Sequence, residues 1–148
     1  MMRKKLAVSA IIILLICAGF VLTNYVTASQ FEDSQFDLPE GFSRGEDNKN
    51  GDMNITNGNS TLFITKFKAE ELNKSITNYK SHCEKNNLSV QHANFKLNNI
   101  DVYKITVIKS GASHYWFTHD GIGYSIYTWK KVDNCDAIVD ELIKNMIK

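Results

Sequence analysis

From Leu88 to Lys130 the sequence alternates short β-prone runs with residues that tolerate a left-handed backbone. The runs are SVQHANFKL, IDVYKITVI, HYWFTH and IGYSIYTWK, and the breaks between them are Asn98-Asn99, KSGAS and Asp120-Gly121. β-Branched and aromatic residues suit a pleated, half-buried surface. Asn, Asp and Gly supply the positive φ that tight hairpin turns demand. Strands joined by such turns pair antiparallel. Four consecutive antiparallel strands are therefore expected, and any fold must be built around them.

The first half supplies what lies beside that sheet. Asn57-Gly58 predicts a two-residue hairpin between DMNIT and STLFITKF. The segment FDLPEGF, residues 36–42, holds the one proline and suits a first edge strand, where a missing N–H costs nothing. Residues 69–87 place Leu72, Ile76, Tyr79 and Cys83 on one helical face. A second helix is expected over 135–147, capped by Asp133 or Asn134, with Cys135, Ile138, Val139, Leu142 and Met146 on its apolar face. The expected fold class is α+β: an antiparallel sheet of about six strands with two helices packed on its apolar face.

The N-terminus reads differently. Arg3, Lys4 and Lys5 precede the run LAVSAIIILLICAGFVL, which continues weakly to Val26. A stretch of about 20 apolar residues matches the length of a membrane-spanning helix. The cationic flank favours a cytoplasmic N-terminus. We therefore expect residues 1–28 to be a signal-anchor contacting the membrane through residues 6–26, residues 29–35 a polar tether, and residues 36–148 an extracytoplasmic domain. Val26 and Ala28 also offer small residues to a signal peptidase, so secretion after cleavage following Ala28 is the alternative. Cys17 lies within the apolar run, and bulky Ile16 does not suit lipoprotein processing.

Setting aside Arg3, Lys4 and Lys5, the 17 Lys and Arg fall to 14, against 16 Asp and Glu. No basic stripe accompanies that balance, so nucleic acid is not an expected partner.

The opening Phe36-x-Leu38-Pro39-x-Gly41-Phe42 precedes a hairpin, an amphipathic helix, LNNIDVYKITV, an aromatic hairpin and a terminal helix. Together these features resemble the Mog1/PsbP-like fold, including small membrane-anchored or secreted domains of methanogenic archaea and some bacteria. The resemblance spans most of residues 36–148. Asn98-Asn99 stands where such proteins commonly carry Asn-Gly. The resemblance implies protein binding and assembly, and it transfers no catalytic residue.

The residues themselves supply no reaction centre. Cys83 and Cys135 sit on the expected core faces of the two helices, and helices sharing one sheet face would let them form a disulfide in an oxidising compartment. Otherwise they are buried thiols, or Cys135 is a nucleophile at a helix N-terminus. His82, His92, His114 and His119 lack a metal-binding spacing, since five residues along a strand put His114 and His119 on opposite faces. EDNKNGDMN superficially resembles a calcium loop without the alternating ligands. Glu70-Glu71, Asp133, Asp136 and Asp140-Glu141 are explained by helix ends and solvent. No glycine-rich phosphate loop appears, and no cofactor is expected. Asn54, Asn59, Asn73 and Asn87 each begin an Asn-x-Ser/Thr triplet and are candidate glycosylation sites.

The hairpin SHYWFTHDGIGYSIYTWKK divides by parity. Tyr115, Phe117, Ile122, Tyr124 and Ile126 make an apolar face. The other face carries Trp116, Tyr127 and Trp129, more aromatic area than a wet surface needs. Cross-strand aromatic pairing alone is one explanation. A contact surface for a protein or glycan partner is a second, and a small-molecule pocket a third. The expected function is non-enzymatic binding or scaffolding at the cell surface. The alternatives are a small exported hydrolase using Cys135 or a histidine, and a glycosylated envelope component.

Overall fold

A computed structural model describes residues 37–147, which fall within the second of two units into which the chain divides, Ser34–Lys148. The anchor, the tether and the cleavage site lie outside the described residues. Among the described residues no helix is long and apolar enough to cross a membrane.

The domain is α+β. Its strands are β1 (Ser43–Arg44), β2 (Met53–Thr56), β3 (Thr61–Lys68), β4 (Val90–Leu97), β5 (Ile100–Val107), β6 (Ser113–His119) and β7 (Ile122–Tyr127). A 3-10 turn at Ala69–Glu71 leads into α1 (Leu72–Lys85), and α2 (Cys135–Met146) closes the chain. All seven strands form one antiparallel sheet in the order β1-β2-β3-β7-β6-β5-β4. Its edges are unequal: β1 has two residues and β4 has eight.

Turn chemistry sets the meander. Asn98 (φ 47°) and Asn99 (φ 64°) turn β4 into β5, and Asp120 (φ 48°) and Gly121 (φ 76°) turn β6 into β7. The Asn57-Gly58 turn is longer than expected. Thr56 pairs with Thr61, and the Asn57 side-chain oxygen accepts from the backbone of Asn59 and Ser60. Self-capping by Asn57 favours a four-residue loop over the tighter one. The chain opening also differs, because Pro39-Glu40-Gly41-Phe42 is a turn. The Phe42 N–H donates to the Pro39 carbonyl across Gly41 (φ 80°), and pairing begins only at Ser43.

The two helices do not share a face. In β6, Trp116 donates from Nε1 to the Ser75 hydroxyl of α1 at 3.0 Å, while its neighbour Tyr115 donates to Asp136 of α2 at 2.7 Å. Successive strand residues point to opposite faces, so the sheet stands between α1 and α2. The expectation of one shared face fails because both faces of the central strands are apolar, and each recruits its own cover.

On the α2 side, Leu62, Ile64, Tyr115, Phe117, Ile126, Val139, Leu142 and Ile143 form the core. On the opposite, α1 side, Gly123 is needed for a close approach of a different kind. It pairs with Phe67 across β3 and β7, and a Cβ at this position would overlap the Phe67 ring.

Candidate functional site

On the α1 side, strand register lines up rings across five strands. Phe63, Tyr127, His114, Trp116, Tyr103 and His92 follow one another at centroid separations between 3.7 and 6.1 Å. Tyr79 of α1 sits edge-on above His114 and Trp116 at 4.7 and 5.3 Å. Trp116 is 1% exposed and belongs to the core, which corrects its assignment to a contact surface. The helix needed to cover it is α1, on the face expected to be open.

Tyr127 is half-buried and engaged at its hydroxyl. It donates to Asp52 Oδ2 at 2.7 Å and accepts from Asn48 Nδ2 at 2.9 Å. Asp52 also receives Thr65 at 2.7 Å and Asn48 at 2.8 Å, so three neutral donors satisfy one buried carboxylate. Burial and this bond to Asp52 push the Tyr127 phenol upward. Asp52, inside the stretch compared with a calcium loop, thus spends its oxygens on the sheet. Among the described residues no group of three or more His, Cys, Asp or Glu is placed to hold a metal ion. The acidic composition around Asp52 masked its structural role.

Trp129 remains outside, 69% exposed, two residues past the end of β7. One face of its indole stacks on Phe63 at 4.4 Å, which fixes the ring. Two cavities border it. A groove of about 740 Å³ includes Tyr79, Leu88, Lys109, His114 and Tyr127. A second cavity, of about 540 Å³, includes Glu46, Asp47, Asn54, Thr61 and Lys130.

Two buried side-chain atoms among the described residues lack a hydrogen-bond partner, Asn54 Oδ1 and His114 Nε2. Each belongs to a residue lining one of these cavities. His114 is only partly exposed as a residue, and Nε2 is shut off from water. Burial holds its imidazole down to about 3, so it is neutral at ordinary pH. Parity assigns His114 to a face without saying what covers it, so this burial is not legible in the residue pattern.

The remaining histidines are scattered. His92 contacts the Tyr103 hydroxyl at 2.7 Å, His82 lies beside Asn86, and His119 Nε2 is 3.2 Å from Asp120. Cys83 and Cys135 are free and buried. Their expected pairing required helices on one face, and the sheet intervenes.

Cys135 opens α2 beside Tyr115, Lys104 and Asp136, and burial pushes its thiol upward. Burial alone would raise Asp136 too, but bonds from Lys104 and Tyr115 overcome it and lower that carboxyl. This arrangement buttresses a helix start and works against a thiolate nucleophile. Asn134 occupies the cap position in a left-handed conformation without a side-chain capping bond.

Among the triplets, Asn59, Asn73 and Asn87 are exposed. Asn54 is in β2, packed against Gly45 with Oδ1 buried, a poor position for a glycan.

No family model and no curated protein matches this sequence. Among solved structures, a crystal structure from Bacteroides thetaiotaomicron VPI-5482 is similar, with 11% identity and a TM-score of 0.46. The match covers 74% of this chain and 42% of that one.

Proposed function

We propose that this chain is a membrane-tethered, extracytoplasmic binding domain that carries out no chemistry of its own. The observation that carries the reading is Trp129, an exposed indole fixed on Phe63 and bordered by two cavities. Exposed tryptophans held in one orientation contribute strongly to binding at low entropic cost. The cationic N-terminal flank and apolar run support the tether. The resemblance to the Mog1/PsbP-like fold points toward binding as well. The contact surface therefore centres on Trp129, with Tyr127 as a braced wall behind it.

A photo-crosslinking residue in place of Trp129, used on intact cells, tests this reading. An adduct formed from position 129 and absent from a control position such as Lys85, exposed on α1, is expected. Equal labelling at both positions, or none, overturns it.

A further inference from the structure

We infer that two copies of this chain associate through β4, edge to edge and antiparallel, so that their sheets become continuous. The inference goes beyond the binding reading and does not rest on it. Trp129 follows β7, three strands away from β4, and stays open in the pair.

Natural sheets protect a long edge with proline, bulges, several charges or a covering element. Little of this is present at β4. Its eight residues run in unbroken register with β5, which leaves no bulge. The strand contains no proline, and its one lysine, Lys96, is paired with Asp101 at 2.6 Å. Gln91, His92, Ala93 and Asn94 are exposed in succession, so both faces of the strand are open at its middle.

The turn fixes which main-chain groups are free. A two-residue turn at Asn98-Asn99 makes Leu97 and Ile100 a hydrogen-bonded pair. At the other end, the Ile108 N–H donates to the Ser89 carbonyl at 2.9 Å. Odd-numbered residues of β4 therefore bond to β5, and Val90, His92, Asn94 and Lys96 direct N–H and C=O outward.

A second copy must match outward residues with outward residues, so the twofold axis passes through a residue rather than between two. An axis through Ala93 pairs Val90 with Lys96 and His92 with Asn94, in both directions, and uses every outward group. The smallest side chain of the strand lies on the axis, and each lysine faces a valine. Moving the axis to Asn94 sets His92 against Lys96 and carries Val90 onto the turn. This self-complementarity selects a second copy as the occupant. On the α1 side the seam borders a groove of about 650 Å³, lined by Leu72, Ile76, Lys80 and Tyr103 above Asn94 and Lys96. The second copy's His92, opposite Asn94, stands at its mouth and adds side-chain contact to the main-chain bonds.

The test uses the full chain in a detergent of matched density. Pairs smaller than a standard interface exchange readily, so protein on the order of 100 µM is sedimented, and a reversible dimer is expected. Asn94→Pro removes an N–H that β5 does not use, and should abolish the dimer with an unchanged circular dichroism spectrum. In a Cys17→Ser background, Ala93→Cys should form an interchain disulfide, because its symmetry mate stands about 4.5 Å away at Cα. Gln91→Cys lies off the axis and should crosslink at least about fivefold less. A monomer throughout, a dimer that persists in folded Asn94→Pro, or equal crosslinking at positions 91 and 93 overturns the inference. If Asn94→Pro fails to fold, the two cysteine variants decide alone. None of these results bears on the photo-crosslink at position 129, so the two readings stand or fall separately.

Discussion

His114 makes acid stability a quantitative test of the aromatic layer. In the unfolded chain its imidazole titrates near 6.5, and in the folded domain burial holds it near 3. Below pH 6.5 the unfolded state therefore takes up a proton that the native state refuses. Its contribution to stability is complete above pH 6.5 and is lost progressively as pH falls toward 3. From pH 6.5 to pH 4 the interval is about 2.5 pH units at about 1.36 kcal/mol each, or about 3 kcal/mol. That is a large part of the ~5–15 kcal/mol that holds a domain folded. The groups facing His114 do not disturb the argument. Tyr79 is pushed up to about 12 by burial and by Cys83, and Tyr127 is pushed up as well, so both stay neutral throughout this range. Urea unfolding followed by far-ultraviolet circular dichroism, at pH 7 and pH 4, measures the effect in wild type and His114→Phe. Carboxylates contribute equally to both proteins and cancel in the difference. Wild type should lose about 3 kcal/mol more than the variant on acidification. At pH 7 the variant should be no less stable, because it removes an unpartnered Nε2. Equal acid losses in the two proteins would refute the buried, neutral imidazole.

Four further outcomes follow from particular contacts. Trp116→Ala should cost about 3–5 kcal/mol and Trp129→Ala less than about 1 kcal/mol in urea unfolding, since one ring is sealed beneath α1 and the other is exposed; comparable losses contradict the assignment. Asp52→Ala strands donors on Tyr127, Thr65 and Asn48 and should cost about 3 kcal/mol, whereas a change below about 0.5 kcal/mol would show the network to be incidental. Gly123→Ala forces a methyl against Phe67 and should destabilise by about 1–3 kcal/mol, read from thermal melts; an unchanged midpoint refutes the overlap. Cys83 and Cys135 should resist a thiol reagent in the native protein and react fully in urea, as mapped by peptide mass, and a melting point lowered by reductant would reveal a bond between them.

What the sequence discloses here is what short-range chemistry decides. The turns at Asn98-Asn99 and Asp120-Gly121 depend on backbone preference at the residues themselves, and both form as expected. Parity is equally local: Tyr115 and Phe117 face one way, His114 and Trp116 the other. The spacing in residues 69–87 and 135–147 likewise foretells two helices. The side of the sheet each helix takes is not local. It depends on two apolar faces competing for cover, and that reversal separates Cys83 from Cys135 and sends Trp116 inward. Asp52 was illegible for a related reason. Its burial requires Thr65 and Tyr127, which lie 13 and 75 residues away, and nothing near it in sequence announces them. Trp129 alone keeps its expected exposure, being one residue beyond the last regular pair of β7 and Thr128.

The unequal edges of the sheet give the domain a direction of growth. At the β1 side only two residues offer backbone groups to another strand, too few to template a lasting pair. At the β4 side eight residues run fully paired to β5 on one flank, and among the described residues no strand lies on the other. Any strand-by-strand association between copies in a concentrated or partly unfolded sample should therefore begin at Val90–Leu97. The charge of Lys96, held by Asp101 at 2.6 Å, is a modest deterrent against it.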